Sequence, residues 1–135
     1  MIIDTSALVA ITYREEGYES LRDMILTEGG RLPAPALVEF KRAVTGRGRH
    51  EHPAADELLR CLMASSLEVE AFTLEDAEIA TAANAAYGQG NGKGGTLNLL
   101  DLMVYAVAKR TGQPILCTGR DFADTDVPTH PIGRQ

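Results

Sequence analysis

Long hydrophobic runs are missing from this chain. Nowhere in its 135 residues do about 18 apolar residues follow one another, the length a helix needs to cross a bilayer. The amino terminus, Met1-Ile2-Ile3-Asp4, also lacks the basic segment and long apolar stretch of a secretory leader. A soluble, cytoplasmic protein with no membrane partner is expected. Cysteine is scarce: Cys61 and Cys117 are the only two, and no metal-ligand spacing joins them. One falls in a helical pattern and the other at the end of a strand pattern, so both are expected to be reduced core residues. Positive charge is short as well. A net charge of −6 argues against the broad basic stripe of a sequence-tolerant nucleic-acid binder. Nor is there length for a second core: 135 residues with 44% hydrophobic content fit one domain, 1–135.

What is present is a regular alternation. Met1 to Asp4 is a short apolar strand, and Thr5 or Ser6 suits the cap of a helix that buries Ala7, Leu8 and Ile11. A second helix runs from Gly17 to Leu26, with Leu21, Met24 and Ile25 on its apolar side, and Gly29-Gly30 ends it. Leu32 to Ala34 reads as a very short strand. Pro35 then suits the first turn of a helix carrying Leu37, Val38, Phe40 and Val44, which Gly46 and Gly48 break. From Pro53, the apolar positions Ala54, Leu58, Leu59, Leu62 and Met63 repeat at helical spacing. Leu67 to Ala71 alternates as a strand, and Thr73 caps a helix toward Tyr87. The stretch from Gly88 to Gly95 holds five glycines in eight residues and no apolar side chain, which predicts a mobile loop. It matches neither common phosphate-binding glycine pattern. Asn98 precedes a helix over Leu99 to Arg110, and Gly112-Gln113-Pro114 turns into a strand, Ile115 to Cys117. Strands alternating with helices imply a mostly parallel sheet covered on both faces.

In such sheets ligands bind beyond the carboxyl ends of the strands. Asp4 ends the first strand and Asp121 follows the last, while Glu39 and Asp101 reach that edge from helices. Each acid has a local explanation of its own: Asp4 as a helix cap, Glu39 as a partner of Arg42, Asp101 in a capping box with Asn98, Asp121 in a turn. Four separate local roles do not account for their convergence on one edge. Clustered carboxylates repel, and a cation is the usual remedy. Lys41, Arg42, Arg47, Arg49, His50 and His52 crowd one stretch, interrupted by Glu51. That stretch is a solvated helix end or, beside an acidic metal site, a grip for phosphates.

Four blocks in this order resemble the PIN-domain ribonucleases, in particular the VapC-type toxins of bacterial toxin-antitoxin pairs. They are Met1-Ile2-Ile3-Asp4-Thr5-Ser6-Ala7-Leu8, Ala36-Leu37-Val38-Glu39-Phe40, Leu97 to Ala108, and Thr118-Gly119-Arg120-Asp121-Phe122. The resemblance implies a PIN-like three-layer α/β/α sandwich around a mostly parallel sheet of four to five short strands. It makes Asp4, Glu39, Asp101 and Asp121 an acidic quartet around Mg²⁺ or Mn²⁺, with Ser6, Asn98 and Thr118 as supporting polar groups. Asp124 and Asp126 lie near the fourth acid and are further candidates for the metal shell. Relatives often carry a His-Pro stretch before the asparagine, whereas this chain has Lys93-Gly94-Gly95-Thr96-Leu97.

The implied activity is hydrolysis of RNA phosphodiester bonds. Hard oxygen ligands without a His or Cys cluster suit Mg²⁺ or Mn²⁺ rather than zinc. Asp4, Asp101 and Asp121 are assigned mainly to the metal, and Glu39 to the metal through water or to orienting the attacking water. Lys41, Arg42, Arg47 and Arg49 are the candidate RNA contacts. A small antitoxin and a second copy of the chain are the expected protein partners, on apolar surface of the early helices (Leu8, Ile11, Tyr13, Leu21, Ile25) and the helix from Pro53. Two rivals stand beside this reading. A phosphohydrolase of the haloacid dehalogenase type also puts an Asp after its first strand, but wants a second Asp where this chain has Ser6. A noncatalytic protein would bind metal or partner without turnover.

Overall fold

The computed structural model describes residues 1–46, 48 and 50–130. Four strands form one parallel sheet: β1 (Ile2–Ile3), β2 (Gly30–Pro33), β3 (Leu67–Glu70) and β4 (Ile115–Leu116), in the order β3-β2-β1-β4. Helices α1 (Thr5–Thr12) and α2 (Tyr18–Glu28) link β1 to β2. Next come α3 (Ala34–Thr45) and α4 (Pro53–Ser65), leading to β3, then α5 (Leu74–Tyr87) and α6 (Leu99–Thr111), leading to β4. The path steps from β1 to β2 to β3 in one direction and returns to β4 in the other. Right-handed crossovers therefore put α1 to α4 on one face and α5 and α6 on the opposite face. This is the expected three-layer sandwich.

The central strand β1 is short and wholly enclosed. Ile2 and Ile3 have no exposed surface, and neither do Ile115 and Leu116 beside them. Such strands show continuous apolar sequence rather than alternation. α6 is the most deeply set helix, burying Leu102, Val104, Tyr105, Ala106, Val107 and Ala108. Gly112, left-handed at φ 68°, ends it. β3 is an edge strand, and Val69 on it stays 39% exposed.

Several sequence expectations shift. The cap of α1 is Asp4 itself, whose side chain accepts from the Ser6 amide, rather than Thr5 or Ser6. β2 begins at Gly30, because Gly30 N–H donates to the Ser66 carbonyl and Arg31 N–H to that of Met1, and Ala34 already opens α3. Cys117 is buried, but Cys61 is exposed. α4 turns Ala55, Leu59 and Leu62 inward, and a residue two past Leu59 lies about 200° round the helix. The early helices leave less apolar surface than expected: Leu8, Ile11, Leu21 and Ile25 are core residues, and of that set only Tyr13 is exposed. The large apolar side chains at the surface are instead Tyr13, Leu26, Val38, Met63, Val69, Leu74 and Leu99.

Candidate active site

Asp4 occupies the junction where buried β1 turns into α1. Its Oδ2 accepts from the Ser6 amide at 3.1 Å and from the Ser6 hydroxyl at 2.6 Å. The same hydroxyl accepts the Thr118 amide at 3.0 Å, so Ser6 ties the end of β1 to the segment after β4. The other carboxylate oxygen, Oδ1, is buried without a hydrogen-bond partner. Burial pushes the Asp4 carboxyl above its ordinary range; the Ser6 bonds oppose the shift and the charge of Glu39 adds to it.

Asp101 stands in the first turn of α6. Its amide donates to Asn98 Oδ1 at 2.8 Å, and the Asn98 amide donates to Asp101 Oδ2 at 3.1 Å, completing a capping box. Only Oδ2 serves the box. Burial pushes the Asp101 carboxyl up to about 7 against the pull of the Asn98 amide, and the charges of Asp4, Asp121 and Glu39 push it the same way. The charges of the other three acids of the expected quartet thus all reach Asp101. Glu39 arrives on α3, whose start is held to α1 by the Thr5 hydroxyl donating to the Ala36 carbonyl at 3.2 Å. Asp121 is exposed, after a turn containing Gly119 at φ 77° and before buried Phe122.

The arrangement is open. Among the described residues, no three His, Cys, Asp or Glu side chains are gathered to hold a metal ion as they stand. The donor chemistry nevertheless fits a hard cation: an all-oxygen set, a buried orphan on Asp4 and mutual repulsion at Asp101. A depression of about 470 Å³, lined by Met1, Gly30, Leu67 and Gln113, lies at the opposite strand ends, where Arg31 accompanies the carboxylates of Glu28 and Glu68.

The remaining candidates divide. Asp126 is taken up elsewhere: its carboxylate accepts from the Tyr105 hydroxyl at 2.5 Å and from Lys109 Nζ at 2.6 Å. Those two bonds hold it along α6. Asp124 borders a shallow hollow with Tyr87, Lys93 and Thr96. Lys41 pairs with Asp56 of α4, whereas Arg42 is exposed and, among the described residues, forms no ion pair with Glu39. Arg47 and Arg49 lie outside the described residues. His52 caps α4 by accepting the Ala55 amide at 3.1 Å, a structural task. Two tethers escaped sequence reading. The spacing of Tyr105 and Lys109, one turn apart on α6, hinted at the Asp126 clamp. Nothing in the sequence marked the Thr96 hydroxyl, which donates to the Asp121 carbonyl at 2.6 Å.

Residues 1–128 match the family model described as PIN domain. The chain is 38% identical over 129 residues to VapC ribonuclease Mb2780c of Mycobacterium bovis, covering 94% of this chain and 96% of that one. It is 36% identical over 127 residues to Ribonuclease VapC of Mycolicibacterium smegmatis, covering 94% and 97%. Among solved structures, the fold is similar to Mycobacterium tuberculosis VapC20, a Sarcin-Ricin loop cleaving toxin, with a TM-score of 0.71 at 16% identity over 93% of this chain and 95% of that one. It is also similar to a chain of VapBC2 from Rickettsia felis bound to a promoter DNA fragment, with a TM-score of 0.72 at 15% identity over 95% and 94%.

Proposed function

The chain belongs to the PIN-domain family, and from that premise we propose that it is a metal-dependent endoribonuclease, the toxin of a toxin-antitoxin pair. The observation that carries the reading is the edge where Asp4 keeps an unpaired buried oxygen and Asp101 is pushed up to about 7. A fold gains nothing from an uncompensated cluster of this kind. One nuclease domain, residues 1–135, holds the whole apparatus.

Mg²⁺ or Mn²⁺, when bound, supplies positive charge to the phosphodiester and makes a water more acidic. Asp4, with Oδ2 held by Ser6 and Oδ1 unbonded, would be one residue holding the ion. Asp101, with Oδ2 held by the helix cap, would be another. Asp121 completes the metal-binding acids, and Glu39, half-buried on α3, binds through water or orients the attacking water. Both Ser6 and Asn98 act by fixing those carboxylates, and the Thr118 amide fixes Ser6. Asp124 is retained as an outer candidate for the shell.

Arg42 meets RNA phosphates, and Arg47 and Arg49, later in the sequence and outside the described residues, are the other candidates; Lys41 is the weaker one because Asp56 already takes its charge. A small antitoxin and a second copy of the chain are the protein partners, and the protein works in the cytoplasm. Among the described residues, no helix is long and apolar enough to cross a membrane. Cleavage mapping on total RNA tests the activity. Cuts with Mg²⁺ and with Mn²⁺, absent in chelator and in Asp4→Asn, are expected. Undiminished cutting by Asp4→Asn would reject the site, and ion binding without cutting of any RNA would favour the noncatalytic reading.

A further inference from the structure

The glycine-rich stretch between α5 and α6 is tied rather than loose. Leu97 N–H donates to the Tyr87 carbonyl at 2.9 Å and Gln89 N–H to the Leu97 carbonyl at 2.8 Å, closing the two ends on each other. Inside the loop, Asn91 Oδ1 accepts the amides of Lys93 at 2.8 Å and Gly95 at 3.1 Å, while its Nδ2 donates to the Ala85 carbonyl at 3.2 Å. At Gly95 the limbs come so close that a Cβ would stand 2.2 Å from the Gly88 carbonyl oxygen, leaving room for glycine alone. The next residue is Thr96, whose hydroxyl donates across 25 residues of sequence to the Asp121 carbonyl at 2.6 Å.

We propose that Thr96 is a positioning residue for Asp121, through which the braced glycine loop sets the fourth acid of the site. The inference rests on reading Asp121 as a metal-binding acid. Asp121 is exposed, so its place is set by its main chain. That main chain has Phe122, 2% exposed, as its anchor on one side and the turn at Gly119 on the other. Thr96 is the third fixed point, acting on the residue itself. A carboxylate that must come toward Asp4 and Asp101 to share an ion gains from a carbonyl that cannot swing, as outer partners of metal ligands generally do. The loop thereby takes part in ion binding without offering a phosphate cradle.

The test is Mn²⁺ titration of the full chain, followed by the electron paramagnetic resonance of the free ion, with melting measured in chelator. Thr96→Val should weaken Mn²⁺ binding about tenfold, the low end for an outer partner, and melt like the parent in chelator. Thr96→Ser should restore binding, and Asp4→Asn and Asp121→Asn should both bind weakly. Parental binding by Thr96→Val beside weak binding by Asp121→Asn would overturn the inference and leave the nuclease reading intact. Parental binding by Asp121→Asn with loss in Asp4→Asn would remove Asp121, and Thr96 with it, from the site. Parental binding in both acid variants would reject the metal site itself. If Thr96→Val does not fold, Asn91→Ala, which unbraces the loop, should weaken binding in the same direction; unchanged binding there would overturn the inference equally.

Discussion

Helices α5 and α6 begin with the same device. Thr73 and Asp76 form a capping box on α5, and Asn98 and Asp101 form one on α6; both acids are buried. Their surroundings differ in sign. Asp76 Oδ1 accepts from Arg110 Nε at 2.6 Å, and Oδ2 accepts from Arg110 Nη2 at 3.1 Å and from the Thr73 amide at 2.8 Å. Arg110 also reaches Glu70, which pairs with Arg31, so one network joins α5, α6, β2 and β3. Burial alone would raise the Asp76 carboxyl, but the Arg110 and Thr73 bonds outweigh it and hold it below the usual range. Around Asp101 the neighbouring charges are Asp4, Asp121 and Glu39, and its carboxyl rises to about 7. The capping box and Arg110 together account for both oxygens of Asp76, whereas the box accounts for half of Asp101. The other half is an acid placed among acids, a cost that makes sense at a site which binds a cation.

The widest separation between the two should appear in catalysis. Asp101→Asn keeps the shape of the box and removes the charge, so RNA cleavage with Mg²⁺ should fall by at least about a hundredfold, as when one preorganised electrostatic group is lost. Asp76→Asn should cut at close to the parental rate per folded molecule. Equal rates for the two variants in single-turnover assays would erase the distinction.

Stability in chelator should separate them in the opposite direction. Arg110→Met leaves buried Asp76 without its cation, while Glu70 keeps Arg31; stripping the partner from a buried charge costs up to about 3–5 kcal/mol. Asp101→Asn should melt at or above the parent, because the amide keeps the cap and ends the repulsion. Calorimetry of both variants in chelator reads the two signs; a clear loss in Asp101→Asn would show that its charge serves the fold.

The pH dependence follows from the same contrast. A folded carboxyl raised to about 7 holds its proton where the unfolded chain has lost it, so stability falls as pH rises from the ordinary carboxylate range through 7. The upper bound is about 4 kcal/mol, reduced by solvent relaxation. Asp76, held low, contributes stability that is present above the unfolded value and lost as pH falls through its folded one. Denaturant midpoints in chelator from pH 4 to 8 should therefore decline for the parent and flatten in part for Asp101→Asn, with the remaining slope belonging to Asp4. Added Mg²⁺ should remove most of the decline. A parental profile without a downward limb would contradict the raised carboxyls.

Much of this contrast was legible in the sequence. Asn98 and Asp101 stand three apart before an apolar run, Asp4 follows the first apolar strand, and the alternation of periods gave the order of elements. What the sequence withheld was set by tertiary pairing. The start of β2 is decided by hydrogen bonds to Met1 and Ser66, which no local preference encodes. Cys61 reads as core until the buried face of α4 is known, and Leu8, Ile11, Leu21 and Ile25 read as docking surface until the other helices cover them. The bonds of Asp126 to Tyr105 and Lys109 are of the same kind, because sequence proximity to Asp121 says nothing about them. The glycine run suggested a mobile loop, since the bonds of a single Asn91 side chain are not visible in composition.

The smallest expected effect is also the cleanest comparison. Thr73→Ala and Asn98→Ala each delete the side-chain acceptor of one N-cap, which receives the amide of Asp76 at 3.2 Å or of Asp101 at 2.8 Å. Each should lose about 1 kcal/mol of stability, the usual value for an N-cap. The thermodynamic damage is thus matched. The consequence for function is not, because the freed first turn of α5 carries an acid still gripped by Arg110, whereas that of α6 carries one repelled by three neighbours. With its cap gone, Asp101 can swing away from Asp4 and Asp121, and the Mg²⁺ concentration needed for half-maximal cleavage should rise in Asn98→Ala and stay parental in Thr73→Ala. Metal titrations of cleavage on the two variants, at a temperature where both are folded, measure this directly. Matching midpoints would mean that the cap of α6 holds only a helix, and that Asp101 finds its place in the site without it.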